Sequence, residues 1–411
     1  MYEMKEIEET VILVGVDTGE TESEESSLDE LSELARTAGA RVAGRLIQAR
    51  ETIHPGTYIG KGKMLELKEL LWETGATGII CDDELTSVQI GNLEEELSCK
   101  VIDRTLLILD IFAARAVSGE GKIQVELAQL RYRASRLSGL GKSLSRLGGG
   151  IGTRGPGEKK LEMDRRLIRE RISRLKKELR DVEKHRELIR GQRKQSGLKV
   201  AALVGYTSAG KSSIENALTD AGILEDAMLF STLDTTTRAL MLDNTQEILL
   251  TDTVGFIRKL PHHLVEAFKS TLEEAGCADI NIHVVDASNP QMDTQMHVVY
   301  ETLRQLGAEG KPVITLFNKQ DLLEKPGYPR DFRADYSIPT SAKTGQGLEE
   351  LKKALLEIIR RGQIYIERLY DFAEAGKIQI IRTRGQLISE EYVPEGIQVK
   401  AYVPTDIYGR V

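Results

Sequence analysis

The clearest chemical feature of the chain is a predicted phosphate-binding loop between a strand and a helix. An apolar run, Val200 to Val204, ends at Gly205, and Gly210, Lys211 and Ser212 complete the spacing GxxxxGK[ST]. Glycines let the backbone turn its N–H groups toward a phosphate, and the next helix adds the positive end of its dipole. The spacing predicts that Lys211 reaches the β- and γ-phosphates and that the Ser212 hydroxyl ligates Mg²⁺. Taken alone, the pattern also fits a strand-to-helix turn that binds nothing.

Three further motifs follow in chain order, each after a predicted strand. In DTVG, Asp252 is placed to hold Mg²⁺ through water, and the Gly255 N–H is placed to meet a γ-phosphate. In NKQD, the Asp321 carboxylate can accept from the ring N–H and the exocyclic amine of guanine, and adenine has neither donor there. In SAK, after another short strand, a backbone N–H is placed to meet the guanine carbonyl oxygen. Four motifs in this order predict one GTP site. Its predicted residues in these motifs are Gly205, Tyr206, Thr207, Ser208, Ala209, Gly210, Lys211, Ser212, Asp252, Thr253, Val254, Gly255, Asn318, Lys319, Gln320, Asp321, Ser341, Ala342 and Lys343.

The length and composition of the chain indicate the class of protein that carries these motifs. With 411 residues, the chain is too long for one core and is typical of two or three domains. It has 40% hydrophobic and 29% charged residues, no apolar run of about 18 residues and an acidic N-terminus without a signal-peptide profile. We therefore expect a cytoplasmic protein. The three scattered cysteines form no CxxC pair, which favours free thiols over a disulfide or a zinc site.

Alternating strand and helix patterns predict an α/β fold assembled from four parts. The first is a small, mainly parallel α/β unit, with buried strands near residues 10, 41, 78 and 100, and the second is an antiparallel helical hairpin. The third is a Ras-like P-loop GTPase domain, and the last is a small α+β domain with period-2 runs such as 377–382. The predicted boundaries are 1–120, 121–196, 197–361 and 362–411.

The predicted hairpin is unusually basic. From Arg131 to Lys199 there are 22 Lys or Arg against 8 Asp or Glu, a balance of +14 in a chain of net charge −8. Leucine, isoleucine and valine recur every seven residues between Leu161 and Ile189, which predicts a coiled-coil seam. The two helices are joined by a Gly-rich, basic loop at 138–157, which we interpret as the tip of an arm that contacts folded RNA. A solvated helix surface and a linker that binds nothing are the alternatives.

With these residues in place, the chain resembles the HflX family of GTPases over nearly its whole length. The resemblance is carried by the segments 58–63, 110–116 and 121–130, and most distinctively by RLGGGIGTRGPGE at 146–158 with DRR at 164–166. The segment 230–238 resembles the first switch of the family. On that alignment Thr232 is the expected ligand to Mg²⁺ beside the γ-phosphate, with Thr236 as the alternative. The resemblance adds Phe230, Ser231, Thr232, Leu233 and Asp234 to the nucleotide site, and implies catalytic roles for Lys211, Thr232 and Gly255 and metal contacts for Ser212, Thr232 and Asp252.

The resemblance also implies a cellular role. Members of this family use GTP to bind the large ribosomal subunit and to split stalled or stressed ribosomes, and their glycine-rich tip approaches the peptidyl-transferase region. The implied partners are therefore the large subunit and its rRNA, contacted through the hairpin and loop by a protein that is monomeric when free. Three departures from the family pattern stand out. Ser208 replaces an Asn that helps hold a monovalent cation, which puts potassium activation in doubt; Lys159 replaces Thr, and the sequence Ser-Ile-Glu at 213–215 replaces Thr-Leu-Phe.

The residue after DTVG bears on the rate of hydrolysis. Ras-like enzymes carry a water-orienting Gln there, but this chain has Phe256, whose ring cannot hydrogen-bond to water. We therefore expect slow intrinsic turnover, with the missing group supplied by the ribosome or by a reordered switch. Three hypotheses stay open: a ribosome-dissociating GTPase, an RNA-remodelling NTPase that also uses ATP through the N-terminal domain, and a regulatory binding module whose hydrolysis is incidental.

Overall fold

A computed structural model describes residues 9–19, 23–146, 156–195, 198–219, 229–230, 236–243, 246–259, 264, 269–325, 327 and 330–411. The chain forms two compact units, which are described separately. The first unit contains residues 1–182 together with two short segments, Met228–Ser231 and Arg258–Phe268, and the second contains the remainder. Within the described residues, no helix is both long enough and apolar enough to cross a bilayer. The three cysteines are free thiols, of which Cys81 is buried, Cys99 is partly buried and Cys277 is exposed.

The first unit is built on a four-stranded parallel sheet with strand order β2-β1-β3-β4. The two central strands, β1 and β3, are nearly continuous buried apolar runs, as is typical of a parallel sheet covered by helices. Leu28, Leu31 and Leu34, which share one face of the first helix, are fully buried. The elements are β1 (Thr10–Asp17), α1 (Glu24–Thr37), β2 (Arg41–Ala49), α2 (Lys61–Thr74), β3 (Gly78–Cys81), α3 (Ser87–Leu97), β4 (Lys100–Asp103) and α4 (Arg104–Arg115).

Two long helices, α5 (Gly119–Arg146) and α6 (Pro156–Gln195), follow. They pair in the predicted antiparallel sense. Arg165 of α6 donates to the Leu137 carbonyl of α5, and Arg171, further along α6, donates to the earlier residue Glu126 at 2.7 and 2.9 Å. The prediction of a structureless loop over 138–157 was too long, because α5 continues to Arg146 and α6 begins at Pro156. Helical hydrogen bonding therefore outweighs the glycine content of residues 138–146. The residues between the two helices lie outside the described part of the chain.

The second unit contains a six-stranded sheet with order β10-β9-β8-β5-β7-β6, in which only β6 runs antiparallel to its neighbour. The motifs sit at the carboxyl ends of its parallel strands, where open α/β sheets bind ligands. Its elements are β5 (Lys199–Gly205), α7 (Lys211–Thr219), β6 (Thr236–Met241), β7 (Glu247–Asp252), α8 (Lys269–Cys277), β8 (Ile280–Asp286), α9 (Met292–Gln305), β9 (Val313–Asn318), β10 (Tyr336–Pro339) and α10 (Leu348–Arg360).

The chain ends in a three-stranded antiparallel sheet of order β11-β13-β12 with one helix against it, the predicted α+β arrangement. One detail of that prediction was wrong. The period-2 run at 377–382 lies in a helix, because Ile378 and Ile381 are spaced to enter the core together on one helical face. The elements are β11 (Gln363–Tyr370), α11 (Ala375–Arg384), β12 (Gln386–Val393) and β13 (Gly396–Pro404).

Candidate nucleotide site

The predicted phosphate loop joins the buried strand β5 to helix α7. Ser208 and Gly210 take left-handed conformations, with φ of 58° and 97°, which turn the chain sharply before the helix begins at Lys211. A Cβ at Gly210 would lie 2.3 Å from the Asn318 side-chain nitrogen, so no larger residue fits there. The loop geometry thus needs glycine for both its backbone angle and its close approach to a neighbouring strand end.

Lys211 is enclosed at the bottom of this loop. Its ammonium donates to the carbonyl oxygens of Gly205 and Tyr206 at 3.1 and 3.0 Å. Burial lowers the pKa of Lys211 to about 8, although Asp252 acts in the opposite direction. Among the described residues, its hydrogen-bond partners are these loop carbonyls. An ammonium in such a desolvated site gains strongly from an anion, so this position favours a phosphate.

Ser212 and Asp252 meet beside the lysine. The Ser212 hydroxyl donates to the Asp252 carboxylate at 2.9 Å, and Thr236 is the residue paired with Asp252 across the β6–β7 ladder. A hydroxyl beside a carboxylate is a pair of hard oxygen donors, which suits Mg²⁺ better than a soft metal. Within the described residues, no group of three or more His, Cys, Asp or Glu side chains forms a metal cluster. A cation here would accordingly depend on oxygens from a bound phosphate as well.

The segment after Asp252 closes over the phosphate loop. Phe256 is buried, its N–H donates to the Gly205 carbonyl at 3.1 Å, and its carbonyl accepts from the Thr207 N–H at 2.8 Å. A Cβ at Gly255 would lie 2.8 Å from the Thr207 methyl carbon and 3.0 Å from the Lys211 ammonium. The structure therefore brings Gly255 to the lysine of the loop, as the predicted γ-phosphate site requires.

The NKQD and SAK motifs form a connected edge next to the loop. Asn318 donates to the Ala209 carbonyl at 2.9 Å and accepts from the Ala342 N–H at 3.0 Å, so it links phosphate loop and SAK motif. The Ser341 hydroxyl donates to Asp321 at 2.7 Å, and this bond lowers the pKa of Asp321 below its usual range. Asp321 is therefore an ionised acceptor at neutral pH, the state needed to receive two donors from guanine.

The remaining predicted residues occupy other positions. Lys319 pairs with Asp286 at 2.7 Å and Lys343 is exposed. Phe230 belongs to the first unit, where its ring meets that of Phe112 edge-on at 4.7 Å. Ser231 to Asp234, including the expected metal ligand Thr232, lie outside the described residues. The site residues remain predictions, and the structure shows that the four described motifs converge.

Glu215 is a residue that motif reading did not place in the site. It lies one helical turn beyond Ser212, is fully buried, and accepts from the Thr236 hydroxyl at 3.3 and 3.2 Å. Arg238 approaches the same carboxylate at 3.5 Å. Glu215 thus ties helix α7 to the first residue of β6, which lies within the segment 230–238 that resembles the first switch. The only sequence signal was a glutamate where the resembling family has phenylalanine.

Glu215→Gln is expected to change how stability depends on pH. Burial, reinforced by Asp252, raises the pKa of Glu215 from 4.5 to about 7. The folded state therefore holds this proton more tightly, and the corresponding stability is full below pH 4.5 and disappears as pH rises through 7. We expect wild type to lose about 3 kcal/mol relative to the glutamine variant between pH 5 and pH 8. Calorimetric unfolding of both proteins across that range measures the difference.

Glu349→Gln, which removes an exposed carboxylate of helix α10, is the matched control. Its difference from wild type should stay nearly flat over the same pH range, because an exposed pair contributes little. Parallel pH curves for wild type and Glu215→Gln would contradict the assignment.

Comparison with known families extends across both units. A family described as "GTP-binding GTPase N-terminal" matches residues 25–113, and one described as "GTP-binding GTPase Middle Region" matches 115–193. A third, "50S ribosome-binding GTPase", matches 200–319. The third match begins in strand β5 and ends within the NKQD motif, so it covers the phosphate loop and DTVG in full and the first two residues of NKQD.

Individual relatives match at high coverage. The protein named "GTPase HflX" of Lacrimispora saccharolytica is 62% identical over 408 residues, covering 99% of this chain and 96% of the relative. Its namesake in Caldanaerobacter subterraneus subsp. tengcongensis is 49% identical and covers 100% and 95%. That of Escherichia coli is 40% identical and covers 92% and 89%. Similarity of this extent involves whole chains, including the hairpin and the C-terminal sheet.

Proposed function

Because this chain belongs to the HflX family of GTPases and is a GTP hydrolase, we propose that it binds the large ribosomal subunit and uses GTP-dependent switching to separate stalled or stressed ribosomes. The observation that carries the proposal is the match of residues 200–319 to a family described as "50S ribosome-binding GTPase". A site of action on the ribosome also places the protein in the cytoplasm.

The proposed ribosome contact is the helical pair α5–α6. Of the seam residues of α6, Leu175 is buried and Ile168, Ile172 and Leu179 are partly buried, whereas most of the described charged side chains of this helix are exposed. RNA is bound largely through its negatively charged phosphates. A stiff pair of helices holds positive side chains in place for them, so binding requires little ordering of the backbone. Among the side chains that the structure describes, the exposed cations of this pair are Lys122, Arg133, Arg166, Arg169, Arg174, Lys176, Lys177, Arg180 and Lys184.

The proposed chemistry is in-line attack of water on the γ-phosphorus, with cleavage of its bond to the β–γ bridging oxygen and release of GDP and phosphate. Lys211 and the N–H groups of the loop and Gly255 stabilise the charge that develops on the phosphoryl oxygens. Mg²⁺, held by Ser212, Thr232 and, through water, Asp252, would supply further charge neutralisation. Since Phe256 orients no water, we propose slow turnover in the free protein and acceleration on the large subunit.

We expect that exchanging three exposed cations of α6 weakens large-subunit binding. The triple variant Arg174→Gln, Lys177→Gln and Arg180→Gln should bind about tenfold or more weakly at physiological salt, with a shallower dependence on salt concentration. The physical reason is that fewer phosphate counterions are released. Co-sedimentation with purified large subunits over a series of salt concentrations, under GDP and under a non-hydrolysable GTP analogue, measures the affinity and its salt dependence.

Lys352→Gln with Lys353→Gln, on helix α10 of the second unit, serves as the control for removed positive charge. That variant should bind like wild type. Equal affinity for the large subunit under both nucleotides would argue against the proposal. So would a triple α6 variant whose affinity and salt dependence match those of wild type.

A further inference from the structure

A cavity of about 480 Å³ lies between the two long helices, and every residue that lines it belongs to the first unit. Its volume is within the range of about 300–1,000 Å³ that is usual for small-ligand sites. None of the four nucleotide motifs contributes to it. Its walls consist of three residues from each helix: Arg133, Arg136 and Leu137 of α5, and Asp164, Leu167 and Ile168 of α6.

The apolar wall of this cavity is exposed to solvent. Leu167 is 57% exposed, and Met163, one turn earlier on the same face of α6, is 63% exposed. Leu137 and Ile168, both partly buried, complete the apolar wall. Covering Leu167 and its neighbours would remove apolar surface from water, so the cavity favours an occupant with an apolar face.

Arg136 is a fixed cation in the wall of the cavity. Its Nη2 donates to Asp103 at 2.5 Å, and its guanidinium carbon lies 3.9 Å from the centre of the Tyr132 ring. The Tyr132 hydroxyl donates to the same carboxylate at 2.7 Å, so the three side chains hold one another in place. Nε and Nη1 of Arg136 are buried and have no hydrogen-bond partner among the described residues. A pre-organised guanidinium with unused donors is suited to the acceptor atoms of a ligand.

The rim of the cavity is positively charged. Arg133 is exposed on the α5 side, and Arg166 and Arg169 are exposed close to Leu167 in α6. Phosphates bind such cations, whereas the flat face of a nucleobase packs on apolar and guanidinium surfaces. A nucleotide of single-stranded RNA carries both groups side by side. The combination of an apolar wall and a cationic rim therefore matches RNA.

The polar groups of the wall favour a purine base. Arg136 offers donors only, and Asp164 offers a carboxylate that can accept. Adenine and guanine each present the N7 acceptor and an exocyclic amine donor, and Arg side chains commonly donate to N7 of guanine. Pyrimidines have no N7 and a smaller face to pack on Leu167. A purine thus uses more of the wall than a pyrimidine does.

We propose that this cavity binds an unpaired purine base of RNA, which packs on Leu167 and accepts from Arg136, while an adjacent phosphate meets Arg133. The inference rests on the proposed binding to the large ribosomal subunit, and it specifies what the helical pair binds there. The occupant is a purine that has left its base stack in the rRNA.

The test uses the full-length protein and a single-stranded RNA of about ten nucleotides, a length typical of single-strand sites. This RNA contains uridine throughout except for one central guanosine, and fluorescence anisotropy of a terminal dye measures its affinity. An abasic site in place of the guanosine should weaken binding to the wild-type protein about tenfold, because one packed base is lost while every phosphate remains.

Two variants separate the contact with the base from the contact with phosphate. Leu167→Ala should weaken binding of the guanosine RNA about fivefold and leave the abasic RNA within twofold, at unchanged salt dependence, because it removes apolar surface and no charge. Arg133→Gln should weaken both RNAs alike and make the salt dependence shallower. Both side chains are exposed, so neither exchange disturbs the packing between the helices.

Leu188→Ala, which removes a 68% exposed leucine near the end of the same helix, is the matched control and should leave both affinities unchanged. Equal affinity of the wild-type protein for the guanosine and abasic RNAs, with the large subunit still bound, would overturn this inference alone. If Leu167→Ala weakened large-subunit binding but neither RNA, the occupant would be a ribosomal protein and the inference would be wrong. A wild-type protein that does not bind the large subunit would overturn the proposed function, and the two RNA affinities would still decide whether the cavity binds a base.

Discussion

Lys211→Ala is expected to lower the kcat for GTP hydrolysis by about 10²- to 10³-fold and to weaken nucleotide binding. The ammonium is fully enclosed, and its contacts are the loop carbonyls of Gly205 and Tyr206. No other described lysine or arginine shares that position, so nothing replaces its charge beside the developing phosphoryl oxygens. Single-turnover hydrolysis and equilibrium titration separate the two effects.

The pH dependence of binding gives a second readout for the same residue. Burial lowers the pKa of Lys211 to about 8, and a bound phosphate stabilises the charged form. Nucleotide binding should accordingly take up a proton above about pH 8, and Lys211→Ala should abolish that uptake. Calorimetric titration in buffers of different ionisation enthalpy measures it.

Lys352→Ala, in an exposed pair with Glu349, is the control and should leave kcat within twofold. If Lys211→Ala kept wild-type turnover, the phosphate-loop assignment would be wrong. If it lost turnover but still bound and separated ribosomes, the protein would instead be a binding module whose hydrolysis is incidental.

Asp321→Asn is expected to weaken GTP binding by about 10²- to 10³-fold while leaving the fold intact. An ionised carboxylate that accepts two donors contributes about 1.5–3 kcal/mol for each bond, and an amide accepts less well and adds a donor that guanine cannot receive. Ser341 already donates to Asp321 at 2.7 Å, which keeps the carboxylate ionised and oriented. Titration with guanine nucleotides measures the loss.

Xanthine nucleotides provide the matched test, because a carbonyl replaces the exocyclic amine of guanine and can accept from the new amide. Asp321→Asn should therefore bind xanthosine triphosphate more tightly than wild type does. Equal loss for both nucleotides would indicate unfolding of the site instead of a change in base recognition. ATP hydrolysis that survives Asp321→Asn would favour the alternative of a second nucleotide site in the N-terminal domain.

Short-range sequence patterns were sufficient to predict much of the fold of this protein. The phosphate loop, the NKQD edge and the order of strands and helices in both α/β sheets follow from short-range patterns, because turns, caps and apolar periodicity are set by neighbouring residues. Short-range patterns failed where two conformations share one pattern. The run at 377–382 alternates like a strand, yet Ile378 and Ile381 also lie on one helical face, and the core selected the helix.

The sequence by itself predicts which residues form a guanine-nucleotide site, because that prediction depends on residue types at fixed spacings. Only the tertiary structure revealed that Glu215 is buried against Thr236 and that Arg136 is held by Asp103. Those contacts join residues that are 21 and 33 positions apart in the chain. No local sequence pattern shows which distant residue a charged side chain will pair with. Its burial and its pairing are therefore decided by how the helices and strands pack.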